Sequence, residues 1–287
     1  MTAADWPTAR AMFSNARDLD DLATFVDVSS NVPGSEQWLP EVVRTEIQDT
    51  LPLLVYGARG IRWAWDARTA KRAKYVSREQ FQLFFERLRI AEDSLQGVVR
   101  REPDNVTAWC YLITLALGLE LGIDEAMRRF GEVVRRCPGH VGAHRVMLQQ
   151  LCRKWGGSHE TMHSFARDAM RNAPPGSPLG ELVATAHFEH WVDLASQRPL
   201  TRYLRSAEVL ASLHEAADRS VRHPDYRPRR DWPQVHNVFA LVFSLAGDRE
   251  AAAEQFRVIG DLATEFPWAY LDAGDPGREF CKRRDET

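Results

Sequence analysis

The stretch WCYLITLALGLELGIDEAMRRFGEVVRRCP, residues 109 to 138, reads as one helix-turn-helix unit. Ala126, Phe130 four residues later and Val133 three after that form one helical stripe, and Pro138 closes the helix because proline has no N–H to continue it. The same spacing returns at Ala91, Leu95, Val98 and Pro103, and again at Ala252, Phe256 and Ile259, where the proline arrives late, at Pro267. A single helix pair cannot bury both of its faces, so pairs of this kind stack on one another. The sequence therefore predicts an all-α protein.

Working outward, turn residues punctuate a series of helical stretches, and no run alternates apolar with polar as a half-buried strand would. Asp5 and Pro7 open a first helix carrying Ala11, Met12, Phe13, Leu19, Leu22 and Phe25, closed by SSNVPGS at 29 to 35. Helical patterns follow at 36 to 51 and 53 to 74, broken at Pro52. Ser77 and Gln80 have the spacing of a capping box ahead of a long helix over 78 to 101. Pairs are expected at 105 to 121 with 124 to 136, at 140 to 153 with 158 to 172, and at 178 to 196 with 201 to 221. Trp155-Gly156-Gly157 marks a tight turn inside the second pair. After a loop at 223 to 233, Asp231 starts a helix that stops at Gly247, and Asp248 caps the next. Three segments result: a helical N-terminal cap over 1 to 76, a repeat array over 77 to 267, and an irregular tail over 268 to 287 with one last turn around Phe280.

The closing prolines are 35 residues apart from Pro103 to Pro138 and 36 from Pro138 to Pro174, lengthening to 50 and 43 in the last two units. With Phe239, Ala240, Phe243, Gly247, Ala252, Phe256 and Ile259 in register, this pattern resembles the tetratricopeptide repeat over roughly 78 to 267. The segments YGARGIRWAWDAR, CRKWGGSHETM and HNVFALVFSLAGDREAA are also similar to an uncharacterised bacterial family of tetratricopeptide-like proteins with no assigned activity. The resemblance implies a tetratricopeptide-like α-solenoid of helix pairs behind an irregular helical cap. It also implies that the first helix of each pair lines a concave groove. Carried over position by position, the groove would present Arg145, Gln149 and Arg153, with Thr107, Cys110 and Thr114 in the preceding unit and Asn237 in the last. Arg145 and Gln149 resemble a basic and amide pair that grips a peptide carboxylate, a geometry that suits guanidinium because it donates two parallel hydrogen bonds.

Composition narrows the function classes. The formal net charge is −3 and charged residues make up 27% of the chain, so no long-range field favours nucleic acid or an anionic membrane. Basic charge is carried by 33 Arg against 4 Lys, a bias expected of a GC-rich bacterial genome. No apolar run has the length of a membrane span and the start lacks a signal-peptide pattern, so a cytoplasmic location is expected. Cys110, Cys137, Cys152 and Cys281 are scattered without zinc-ligand spacing and read as free thiols.

Histidines form three close pairs: His140 with His144, His159 with His163, and His187 with His190. Two imidazoles three or four residues apart share a helix face and can chelate a metal. The group AHFEHW adds Glu189 between His187 and His190, which makes these three the candidate metal ligands, but it lacks the ligand pattern of a known metalloenzyme and the histidine pair needs a further ligand the sequence does not place, so a helix-packing or solvated pair is the preferred reading. No nucleophile elbow and no phosphate-binding loop occurs. Arg227, Arg229 and Arg230, flanked by Tyr226 and Trp232, and Lys282, Arg283 and Arg284 read as solvated basic clusters. Arg59, Arg62, Trp63, Trp65 and Arg68 read as the surface that docks the cap on the first repeat.

The function expected from these readings is a non-catalytic, cofactor-free adaptor that binds a protein or peptide segment. The alternative is a metal- or small-ligand-dependent enzyme or sensor centred on His187, Glu189 and His190. A third possibility is an intramolecular scaffold whose N-terminal segment fills the groove.

Overall fold

The computed structural model describes residues 5–68, 76–195 and 202–287, apart from the side chain of Asp20. The described residues hold fifteen α-helices and no strand. The expected helical residues 69–74, 196 and 201 lie outside them. The chain divides into two compact units, Met1–Met147 and Leu148–Thr287, and each has its own packing logic.

The first unit contains α1 (Trp6–Phe13), α2 (Leu19–Ser30), α3 (Ser35–Thr45), α4 (Leu51–Arg68), α5 (Arg78–Arg101), α6 (Val106–Gly118) and α7 (Ile123–Arg136). The single helix expected over the first 28 residues is two, because Asp18 caps a new helix by accepting from the Asp21 N–H at 2.8 Å. The capping box of α5 forms as expected: Gln80 N–H donates to Ser77 Oγ at 3.2 Å, and Ser77 N–H to Gln80 Oε1 at 3.0 Å.

The most extensive packing in this unit is between α4 and α5. Gly57 and Gly60 make it possible, since a Cβ at Gly60 would stand 2.9 Å from the Ala91 Cβ and one at Gly57 2.6 Å from Leu95 Cγ. Trp65 meets Phe84 edge-on at 4.9 Å, and Arg87 lies 4.0 Å over the Trp63 ring. Buried Arg59 is held by Glu36 at 2.8 Å and Asp66 at 3.1 Å, while Arg62 pairs with Asp27 at 2.7 Å. The tryptophans of the expected docking surface thus meet α5, whereas Arg59 and Arg62 find their carboxylates among the first 68 residues. One apolar core runs from Trp6 to Leu115. Among the described residues this core joins the helices before residue 76 to α5 and α6, and the division between the compact units falls after Met147.

In the α6–α7 pair, Ala126, Phe130 and Val133 are buried on one face, and Gly122 makes the turn with a positive φ of 88°. Cys110 and Cys152 are free, and burial pushes both thiols up to about 12, far from reactive thiolates.

Helix α8 (Val141–Gln150) runs across the division between the units. The second unit continues with a short 3-10 turn (Arg153–Trp155), α9 (His159–Asn172), α10 (Glu181–Ala195), a 3-10 turn at Tyr203–Arg205, α11 (Ala207–Arg219), α12 (Trp232–Ala246), α13 (Arg249–Ile259), α14 (Glu265–Trp268) and α15 (Pro276–Asp285). Two helices are central: α10 packs on α9, α11 and α12, and α12 packs on α10, α11, α13 and α14. Their sequences explain this, because Glu181–Glu189 and Val235–Phe243 are buried residue after residue, on every side of the helix.

The C-terminal segment departs from expectation. Where one turn was expected around Phe280, α15 runs for ten residues, with Asp275 accepting from the Arg278 N–H at 2.9 Å. Phe280 is buried between Phe256 and Trp268, with ring centroids 5.4 Å from each.

Candidate functional site

The C-terminal half of α10 gathers most of the polar chemistry of the second unit, on two different faces. Residues three apart share a helix face, whereas Glu189 lies about 200° around the axis from His187 and about 100° from His190. The three residues of the expected metal set are thereby separated.

Glu189 faces Gln149, Lys154 and Tyr270. Its carboxylate is only 4% exposed and accepts from Gln149 Nε2 at 2.7 Å, Tyr270 Oη at 3.0 Å and Lys154 Nζ at 2.8 and 2.9 Å. Burial alone would favour the neutral amine of Lys154, but the Glu189 charge outweighs it and raises the ammonium pKa. This is a satisfied ion pair tying the Arg153–Trp155 turn to α10.

His187 and His190 face α9. His190 Nδ1 and His163 Nε2 are 3.1 Å apart, and the Tyr203 hydroxyl lies 3.2 Å from the same His163 nitrogen. Tyr203 is also 2.7 Å from His187 Nδ1, and the other nitrogen of His187 is 3.1 Å from Ser212 Oγ. His159 stacks on His190 with ring centroids 3.7 Å apart, and its Nε2 meets Asp193 at 3.0 Å. The remaining nitrogen of His159, Nδ1, is buried without a hydrogen-bond partner.

Two of the three histidine pairs thus become one cluster of four imidazoles. Ser158 caps α9 and sets the register that places His159 and His163 toward α10. Burial, reinforced by neighbouring imidazoles, lowers the pKa of His163 and His190 to about 4 and that of His187 to about 3. All three are neutral at pH 7, each with one ring lone pair and one N–H. The same burial raises the Tyr203 phenol. The third pair is different: His140 Nδ1 accepts from the Ala143 N–H at 3.0 Å and His144 packs edge-on against Phe130, which makes them packing groups.

The expected groove residues also part company. Asn237 is fully buried; its Nδ2 donates to the carbonyls of Pro233 and Leu262 and its Oδ1 accepts from Trp268, so it is a core residue and lines no groove. Gln149 is committed to Glu189, and Arg145 is half-buried on α8. Arg153 alone stays well exposed, at 58%, with a loose 3.4 Å contact to Asp193, which His159 already holds. Arg227 donates to the Pro224 and Tyr226 carbonyls of its own loop, and Tyr226 and Trp232 pack edge-on against His236.

Among the described residues no three His, Cys, Asp or Glu side chains converge as a metal site, and no helix is long and apolar enough to cross a membrane. No family model and no curated relative matches the chain.

Proposed function

We propose that the chain is a tetratricopeptide-like solenoid acting as a non-catalytic adaptor for a protein or peptide segment. The observation that carries this reading is the recurrence of one buried register: Ala126, Phe130 and Val133 on α7, and Ala252, Phe256 and Ile259 on α13, each on the second helix of a tightly packed pair. Repeats built on that register stack through their small and aromatic positions and leave faces of the first helices, and the turns that follow them, such as Arg153–Trp155 after α8, for a partner. Arg153 is the contact residue of choice. Its guanidinium is exposed and only loosely engaged, so an acidic side chain or terminal carboxylate of an incoming segment can take it by two parallel hydrogen bonds.

The test is a display screen of random peptides with free C-termini, followed by affinity measurement of the enriched sequences against wild type and Arg153→Glu. Enriched acidic or free-carboxylate peptides that bind the wild type and lose at least ~10-fold in affinity to the variant support the reading. A screen without enrichment, or peptides indifferent to the charge at 153, overturns it.

A further inference from the structure

We propose that His163 Nε2, His190 Nδ1 and the Tyr203 hydroxyl form a binding site for one divalent transition-metal ion of borderline softness, Zn2+ or Cu2+. This goes beyond the adaptor reading and does not depend on it.

The first argument is hydrogen-bond accounting. His163 Nε2 has either one lone pair or one proton, yet two polar atoms, His190 Nδ1 at 3.1 Å and Tyr203 Oη at 3.2 Å, lie within reach of it. Nearby His159 is fixed by Asp193 through Nε2, and its buried Nδ1 has no partner at all. With the Tyr203 hydroxyl donating to His187 Nδ1 at 2.7 Å, His163 Nε2, His190 Nδ1 and Tyr203 Oη face one another around the one proton that the two rings share, and a cation can take that place.

The second argument is geometry. Ligands at about 2.0–2.1 Å around a tetrahedral ion stand about 3.3 Å from each other. Two of the three donor edges, at 3.1 and 3.2 Å, are within a few tenths of an ångström of that spacing. The donors are two imidazoles and a phenol oxygen with no thiolate, a set that suits Zn2+ and Cu2+. Binding requires His163 and His190 each to carry the ring proton on the nitrogen facing away, a change of tautomer without loss of a proton, and Tyr203 to bind as phenolate, its proton passing to His187 Nδ1 at 2.7 Å.

The third argument is the supporting shell. Metal-binding histidines and their neighbours are held in place by outer groups. Here His190 is clamped by the stacked His159, itself anchored on Asp193, and the Tyr203 hydroxyl is met by His187, whose far nitrogen is anchored on Ser212. The donors come from α9, α10 and the Tyr203–Arg205 turn, so an ion ties three elements together. Histidine, cysteine and carboxylate alone give no convergent triple here, because the third donor is tyrosine.

The test uses the full chain without an affinity tag, stripped with chelator, titrated calorimetrically with Zn2+ and with Cu2+. One ion per chain is expected, with a rise in melting temperature. His163→Gln and His190→Gln keep a polar side chain of similar reach and are each expected to weaken binding by at least ~10-fold, whereas His223→Ala, outside the cluster, leaves it unchanged. The Cu2+ complex of the wild type is expected to show hyperfine coupling to two nitrogens and a phenol-to-copper absorption band that Tyr203→Phe removes. Absence of stoichiometric binding, or binding untouched in both glutamine variants, overturns the proposal. If those variants do not fold, the nitrogen count of the wild-type spectrum decides alone: any number other than two refutes this donor set.

Discussion

The indole Nε1 of Trp268 donates to Oδ1 of Asn237 at 2.6 Å, and both side chains are fully buried. Asn237 uses its amide nitrogen as well, on the Pro233 and Leu262 carbonyls, so one side chain joins α12 to the segment following α13 and to α14. Replacing it by alanine strands the buried Trp268 N–H and takes a donor from the Leu262 carbonyl. Asn237→Ala is expected to cost about 2–3 kcal/mol of unfolding free energy, within the range for buried unsatisfied groups. Urea denaturation measures this. A residue on an open groove would leave the midpoint unchanged, and that outcome would return Asn237 to the binding surface.

Glu189 and Lys154 offer a parallel test of structure against function. A ligand carboxylate and a structural one differ in what their removal does to folding. With Gln149, Tyr270 and Lys154 all converging on Glu189, Glu189→Gln leaves the Lys154 ammonium, on a side chain 39% exposed, short of its counter-ion. The loss is expected to be about 2 kcal/mol, below the usual figure for breaking a fully buried pair because the lysine is partly solvated. In Lys154→Met the same carboxylate change should cost less, since its charge partner is already gone. Equal costs in both backgrounds would mean that the pair is not coupled.

These two residues also mark where the sequence was legible. Long-helix bounds such as 78 to 101 were readable because a capping box and a following proline state them locally. The buried stripes on α7 and α13 were readable for the same reason: helical period is a local property. Histidine pairs could be seen, but which pairs meet depends on the packing of α9 against α10, and Tyr203 arrives from a turn with no pattern to announce it. Glu189 was misplaced by adjacency, although a helical wheel already puts it away from His187. Repeat position alone places Asn237 on a groove, and it carries no information on the tryptophan that occupies its amide oxygen.

The last helix was hidden by its own composition. Gly, Asp and Arg dominate residues 272 to 287, yet Asp275 followed by Pro276 is a sound helix start, and Phe280 is the one large apolar anchor buried on α15. Because Phe280 fills the space between Phe256 and Trp268, Phe280→Ala is expected to destabilise the protein by about 3 kcal/mol, a cavity cost typical of a buried aromatic. A surface turn would tolerate the change within about 0.5 kcal/mol. Thermal melting distinguishes the two.

Acid sensitivity should be traceable to one carboxylate of the first unit. Glu125 accepts from Arg128 at 2.7 Å and from Arg129 at 2.6 Å, and buried Arg129 reaches on to Glu92 at 2.6 Å and to the Leu112 carbonyl at 2.7 Å. The Arg128 hydrogen bonds, opposed by some desolvation and helped by Arg129, lower the Glu125 pKa to about 2. The unfolded chain binds this proton near the ordinary glutamate value, so between about pH 4.5 and 2 the unfolded state carries more protons than the folded one. The stabilisation is complete above that window and lost as pH falls through it. Glu125→Gln removes the titration and should flatten this part of the acid limb of melting temperature against pH, while lowering stability at pH 7 because Arg129 loses a charged partner. An acid limb with unchanged slope in the variant would assign the sensitivity to other groups.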